Sequence, residues 1–161
     1  MVVGARTGVV VGIVLVLLAA CSSDPPHSVA ADGPPPASVC DAFQANPGFV
    51  NDAYLLQIAD RADDPAEATE LAIADPEGEL ATRQATLATL RAARPFVAAG
   101  DPLGPDLDLV IGTYEKNIEG LTAVAEGKGG FLPVGAGMEI VVPAGAVFDH
   151  ATTTCGLAST G

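Results

Sequence analysis

The chain has 161 residues, a length typical of a single domain. Its 20 acidic residues outnumber its 7 basic ones and give a formal net charge of −13, which argues against nucleic-acid binding because such a chain repels phosphate backbones. Apolar residues make up 49% of the chain but aromatic residues only 4%, and alanine dominates the apolar set. Because alanine is the best helix former, this composition favours closely packed helices.

Residues 1–20 have the layout of a secretory signal peptide. Arg6 is their only charge, an apolar run follows from Val9 to Leu18, and the small residues Ala19 and Ala20 come last. The apolar segment 8–20 is shorter than the ~20 residues that a permanent membrane-spanning helix needs. We therefore predict an export signal over 1–20.

The sequence Leu18-Ala19-Ala20-Cys21 resembles the lipobox of bacterial lipoproteins. This resemblance implies that Cys21 receives a diacylglyceryl group, carrying fatty acids such as palmitate, and becomes the mature N-terminus. The protein would then be anchored by covalently attached lipid on the extracytoplasmic face of the cell membrane, and two acyl chains make such attachment durable. A plain secretory cleavage site and an uncleaved anchor are the alternatives, but both leave Cys21 without a purpose.

The composition of the remaining chain is similar to that of small alanine-rich helical lipoproteins of high-GC Gram-positive bacteria, a likeness that implies no activity. Residues 21–37 hold the lipidated Cys21 and a polar segment with five prolines, which predicts a disordered tether. His27 lies in this tether. We interpret it as a solvated linker residue and not as a metal ligand.

With Cys21 assigned to lipid, Cys40 and Cys155 form an even pair in an exported chain. Export places them in an oxidising compartment, so a disulfide between them is predicted. Metal ligation and a nucleophilic thiol are weaker alternatives, since the two cysteines lack CxxC spacing and only His27 and His150 could assist them. The sequence therefore predicts no metal site.

Aspartate–proline pairs mark helix starts in the middle of the chain. Asp64-Pro65, Asp75-Pro76 and Asp101-Pro102 each place a capping side chain before a proline. The predicted helices run from Ser38 to about 46, with Cys40 and Phe43 facing inward, and then over about 50–62, 65–74 and 76–94. Pro95 should end the last of these, because a proline disfavours helical geometry in the residue before it.

The clearest helical periodicity covers residues 106–127. One face collects apolar side chains at steps of three or four residues, as expected of an amphipathic helix. These residues are Leu107, Val110, Ile111, Tyr114, Ile118, Leu121 and Ala125. Gly112 and Gly120 in the same segment are compatible either with a close helix approach or with a loosened helix.

The C-terminal part is harder to assign. Residues 127–137 are predicted to be a flexible connection and 138–142 to be extended, followed by a last helix over about 143–154 and a terminating Gly156. The prediction for 38–157 is an all-α domain, a small helical bundle closed by one disulfide, with a short tail at 158–161. The alternative is an α+β domain in which 138–142 forms a strand.

Three groups of residues have part of the composition of a chemical site, and each has a simpler explanation. Asp101, Asp106 and Asp108 lack the ligand spacing of a calcium loop, and 126–130 lacks the order of a phosphate-binding loop. Asp149-His150 has no serine nucleophile in a G-x-S-x-G turn. The sequence therefore predicts no catalytic residues and no enzyme.

Two functions are compatible with these features. The first is a non-catalytic interaction or accessory module of the cell envelope, which contacts another envelope protein through its acidic surface. The alternative is a carrier that holds an apolar ligand between its helices. The sequence names no cofactor for either.

Overall fold

The computed structural model describes residues 34–61, 72, 74–129 and 138–159. These residues belong to the unit Gly33–Gly161. The predicted signal peptide, Cys21, His27, most of the tether and nearly all of the helix predicted over 65–74 lie outside the described residues.

The N-terminal elements are short. Helix α1 covers Val39–Gln44 and begins where predicted, because the Ser38 hydroxyl accepts a hydrogen bond of 3.1 Å from the backbone N–H of Asp41. A 3₁₀-helix follows at Pro47–Asn51, and helix α2 covers Ala53–Ile58. The single helix predicted over 50–62 is therefore wrong at both ends.

The boundaries of α2 have local causes. Asp52 has extended backbone geometry, and its carboxylate accepts a 2.9 Å hydrogen bond from the N–H of Tyr54, so it caps a new helix. At the other end Asp60 has a φ of 55°, which a helix cannot contain. Val50 lies in the 3₁₀-helix, where it is buried.

Helix α3 covers Pro76–Ala93 and confirms the helix start predicted from Asp75, whose carboxylate accepts a 3.1 Å hydrogen bond from the N–H of Gly78. Helix α4 covers Leu103–Ala125 and begins three residues before the periodic segment, as Asp101 accepts a hydrogen bond from the N–H of Leu103. A left-handed Gly127 ends α4.

Helix α5 covers Met138–Asp149, so the extended segment predicted for 138–142 is wrong. The β-branched residues of this stretch favoured a strand, but Ile140, Ala144 and Val147 fall on one helical face and are buried in the core. Pro143 lies inside α5, only five residues from its start. A π-helical turn, His150–Thr154, continues the chain to Cys155.

Helix α4 is central: α3 and α5 both pack against it, while α1 packs on α3 and α2 packs on α5. The buried core is formed mainly by aliphatic and aromatic side chains, among them Phe43, Phe49, Tyr54, Leu55, Leu90, Leu107, Val110, Tyr114 and Val147. No strand occurs in the described residues, and the all-α bundle is confirmed. Within the same residues, none of the helices has the length and apolar character required to cross a membrane.

Candidate functional site

The predicted disulfide is present and joins the two ends of the folded region. Cys40 of α1 is bonded to Cys155, with 5.1 Å between their Cα atoms and 115 positions between them in sequence. The side-chain amide of Gln44 also donates a 3.2 Å hydrogen bond to the carbonyl of Cys155. One disulfide and one hydrogen bond thus connect α1 to Cys155.

The π-helical turn places His150 beside this disulfide. The N–H of Cys155 donates a 3.0 Å hydrogen bond to the carbonyl of His150, five residues back. One imidazole nitrogen of His150 and the sulfurs of Cys40 and Cys155 all lie within 4.8 Å of one another. The imidazole ring is half-buried and meets the ring of Phe43 edge to face.

The neighbours of His150 have other partners. Asp149 forms a 2.9 Å ion pair with Arg61, and both side chains are about half exposed. The hydroxyl of Thr152 donates to the carbonyl of Phe148, and that of Thr153 donates to the carbonyl of Asp149. The Asp149 carboxylate is therefore engaged by Arg61 of the chain segment that follows α2.

An open surface groove lies between α5 and the end of α2. It has a volume of about 510 Å³ and is lined mainly by the small or apolar residues Ala59, Val141, Val142, Gly145 and Ala146. The Arg61–Asp149 ion pair borders it. Val142 is 76% exposed, which is unusual for a large aliphatic side chain in this fold.

A second cluster is polar and buried in the bundle, and its centre is Asp52. The side chain of Asp52 is almost completely enclosed. Besides the N–H of Tyr54, its carboxylate accepts a 2.7 Å hydrogen bond from the hydroxyl of Thr86 and a 2.9 Å hydrogen bond from that of Tyr114. One carboxylate therefore connects α2, α3 and α4.

Arg83 extends this cluster along α3. Its guanidinium donates hydrogen bonds to the side chains of Asn117 and Glu79, and it lies 4.8 Å from the centre of the Tyr54 ring. Arg83 is only 2% exposed, and its Nε has no hydrogen-bond partner among the described residues. A buried cation held in this way fixes the facing surfaces of α3 and α4.

The two tyrosines of the cluster are held in their neutral form. Burial raises the pKa of Tyr54 to about 12, with Arg83 acting in the opposite direction. Burial also raises the pKa of Tyr114 well above its ordinary value, and the negative charge of Asp52 adds to this effect. The rings meet edge to face, with their centres 5.2 Å apart.

Two carboxylates of the acidic segment 101–108 have separate partners. Asp108 forms a two-point ion pair with Arg94, and these hydrogen bonds lower the pKa of the Asp108 carboxyl. Asp101 accepts from the N–H of Leu103 at the start of α4. In the following connection, Lys128 pairs with Glu126, which directly follows the last residue of α4.

The sequence did not predict the buried polar cluster, whose members are distant in sequence and meet only in the folded protein. Arg83, Thr86 and Asn117 occupy inward positions of α3 and α4 that a search for apolar periodicity passes over. Asp52 carried a local signal as a helix cap, but its contacts with Thr86 and Tyr114 are long-range. The sequence offers His150 as a neighbour of Asp149 and as one of two histidines that could assist the cysteines, but its position next to the disulfide depends on the π-helical turn.

No family model, no curated protein and no solved structure matches this chain.

Proposed function

We propose that this protein is an exported lipoprotein, anchored through Cys21, which acts as a non-catalytic accessory module and binds a basic envelope protein through its acidic surface. The observation that carries the binding part of the proposal is the distribution of charge. The resemblance of residues 18–21 to a lipobox supports the anchor.

The basic side chains are engaged within the fold. Five of the seven Lys and Arg residues of the chain form ion pairs with carboxylates of the described residues. Their positive charge is thus locally neutralised, and the surface field is dominated by the remaining acids.

Several of these acids are exposed and have no ion-pair partner among the described residues. Glu77 of α3, Glu119 of α4 and Glu139 of α5 are examples from three helices. A surface of one sign attracts a partner of the opposite sign and disfavours other partners. A basic envelope protein has the complementary charge.

The binding proposal can be tested with a pair of charge variants. Glu77→Gln, Glu119→Gln and Glu139→Gln together remove three negative charges, whereas the same three positions changed to Asp keep them. In-cell cross-linking of the parent should capture a specific basic envelope protein. The yield should fall at least several-fold for the Gln variant and remain near the parent level for the Asp variant. Equal yields for the two variants, or no captured protein, would contradict the proposal.

The anchor is tested separately. Cys21→Ala should abolish lipid-dependent partitioning into the detergent phase, while Ser22→Ala, which leaves the modified position intact, should partition like the parent. Mass spectrometry of the mature parent should find a diacylglyceryl group on Cys21. A Cys21→Ala protein that still enters the detergent phase to the same extent would refute the lipoprotein assignment.

The groove between α2 and α5 favours the alternative, a carrier of an apolar ligand. Its small side chains leave space, and a β-carbon added at Gly145 would meet no other atom within 4 Å. Native mass spectrometry of the protein from its own host tests this reading. A retained lipid-like mass that is lost in a Gly145→Leu variant, where the groove is filled, would support the carrier over the accessory module.

A further inference from the structure

The disulfide and His150 form a cluster that goes beyond the proposed binding role. Two cysteine sulfurs and one imidazole nitrogen are a ligand set of zinc sites that keep a fourth position for water. In the described structure these three atoms come from Cys40 in α1, Cys155 at the chain's last turn and His150, all within 4.8 Å of one another. This separation is close to that of ligands around one ion.

Tetrahedral zinc with Zn–S bonds of about 2.3 Å and Zn–N bonds of about 2.0–2.1 Å requires its ligand atoms to be about 3.5–3.8 Å apart. The nitrogen of His150 lies within 4.8 Å of both sulfurs, so it exceeds this separation by about 1 Å at most. The sulfurs are bonded to each other in the oxidised form and would separate by side-chain rotation once that bond is broken. No rearrangement of α1 or α5 is required by these distances.

The π-helical turn is a second, independent observation. In a regular α-helix, residues five apart differ by about 140° in direction, so residues 150 and 155 would face different sides. The i→i+5 hydrogen bond from Cys155 to His150 widens the turn and brings both residues to one side. Turns of this kind are frequent at functional sites, and here the turn serves to place a nitrogen ligand beside a cysteine.

We propose that Cys40, His150 and Cys155 form a redox-gated binding site for a thiophilic d¹⁰ cation such as Zn²⁺, closed while the disulfide is intact and opened by a dithiol reductant. The reductant's two thiols transfer two electrons and two protons to the disulfide, giving two protein thiols and the oxidised reductant. Zn²⁺ then binds both sulfurs as thiolates with release of two protons, and the neutral imidazole of His150 supplies the third ligand. Water fills the fourth position.

The proposed site has a structural consequence. Reduction removes the covalent link between α1 and the end of the chain, and a metal bound to the same residues restores a link between them. Metal binding to the folded form alone stabilises it by mass action. The oxidised protein and the reduced, metal-bound protein would then share one fold. The first links α1 to the end of the chain by a disulfide, and the second links them by the metal ion.

The test uses the full chain with Cys21→Ser, so that only two thiols remain after reduction, and Zn²⁺ alone as the probe. The reduced protein should bind one Zn²⁺ per chain and the oxidised protein none at the same concentration. Co²⁺ in place of Zn²⁺ should give thiolate-to-metal charge-transfer absorption. His150→Ala should weaken Zn²⁺ binding at least tenfold, whereas His27→Ala, which removes the other histidine, should leave it unchanged.

A reduced chain that unfolds still gives a decisive result, because Zn²⁺ should then restore the helical circular dichroism and raise the melting temperature, and His150→Ala should lose this effect. Equal Zn²⁺ binding by the oxidised and reduced proteins would overturn the proposal. So would equal affinity of the parent and His150→Ala, or a reduced and unfolded chain whose helical circular dichroism Zn²⁺ does not restore.

Discussion

Two regions attach the short N-terminal elements to the rest of the bundle, and they do so by different chemistry. In the disulfide region, Cys40 of α1 is bonded covalently to Cys155. In the polar region, Asp52 accepts hydrogen bonds from Tyr54, Thr86 and Tyr114 and so joins the start of α2 to α3 and α4. The disulfide stabilises mainly by restricting the unfolded chain, whereas the polar cluster acts in the folded state, where its donors and acceptors need one another.

The comparison shows how a core poor in aromatic residues obtains a defined arrangement. Helices that pack through small side chains can fit together in several arrangements. A buried carboxylate that needs three hydrogen-bond donors finds all of them in only one of these arrangements. We infer that the disulfide supplies the larger share of stability and that the polar cluster defines how α3 and α4 face each other. Removing each region in turn separates these contributions.

The largest effect is expected from the disulfide. The Cys40→Ala/Cys155→Ala double variant should lose about 4–5 kcal/mol of unfolding free energy, since the closed loop is about 115 residues long. Urea denaturation measures this loss, with Cys21→Ala as the control that removes the third cysteine. A loss below about 1 kcal/mol would show that the disulfide is not the main contribution to the free energy of unfolding.

The second largest effect is expected from Asp52→Ala, which deprives the N–H of Tyr54 and the hydroxyls of Thr86 and Tyr114 of their acceptor. The expected loss is about 3–4 kcal/mol, because buried donors are left unpaired and hydrogen bonds to a charged group are strong. Glu119→Ala removes an acid from the exposed surface of α4 and should change stability by less than about 0.5 kcal/mol. Similar losses for the two variants would contradict a central role for Asp52.

Removing one hydroxyl from the polar cluster should cost less. Tyr114→Phe keeps the ring and its edge-to-face contact with Tyr54 but loses the hydrogen bond to Asp52. We expect a loss of about 2 kcal/mol by denaturant titration. Combining it with Asp52→Ala should give far less than the sum of both losses, since the two changes remove the same contact; additive losses would show that the contact is not energetically coupled.

Alkaline pH should weaken the polar region while leaving the disulfide intact. Burial raises the pKa of Tyr54 to about 12 and raises that of Tyr114 well above its ordinary value, so above pH 10 the unfolded tyrosines lose protons that the folded ones retain. Stability is therefore fully present below pH 10 and falls as pH rises, by up to about 1.4 kcal/mol per pH unit for each tyrosine. Urea midpoints at pH 9, 10 and 11 should fall less steeply for Tyr114→Phe than for the parent; identical slopes would contradict the assigned shift.

The smallest effect concerns the backbone beside the disulfide. Gly156 has a φ of 73° and follows Cys155, and a β-carbon there would meet no atom within 4 Å. Gly156→Ala should therefore cost about 1 kcal/mol through backbone strain alone. Thermal denaturation measures it, with Ala158→Gly as an exposed neighbouring control. An unchanged melting temperature would show that the backbone at residue 156 can leave the left-handed conformation without loss of stability.

Local signals in the sequence determined much of the fold. Leu107, Val110, Tyr114 and Leu121 recur at helical spacing and are all buried in α4, and Asp75 before Pro76 begins α3 as predicted. Cys40 and Cys155 could be paired because they are the two cysteines left after Cys21 is assigned to lipid. The helix inferences depend on residues that are near one another in sequence, and the disulfide inference depends on the number of cysteines.

Tertiary structure alone decided the rest. Residues 138–142 have the composition of a strand, yet they are helical because Ile140 is buried with the next turns of α5. Arg83 and Asn117 look like surface residues, and only the packing of α3 on α4 makes them partners. His150 becomes a neighbour of the disulfide only through the π-helical turn. The physical reason is common to all three: long-range burial overrides local preference where the gain from packing or from a satisfied polar contact exceeds the few tenths of a kcal/mol that propensity contributes.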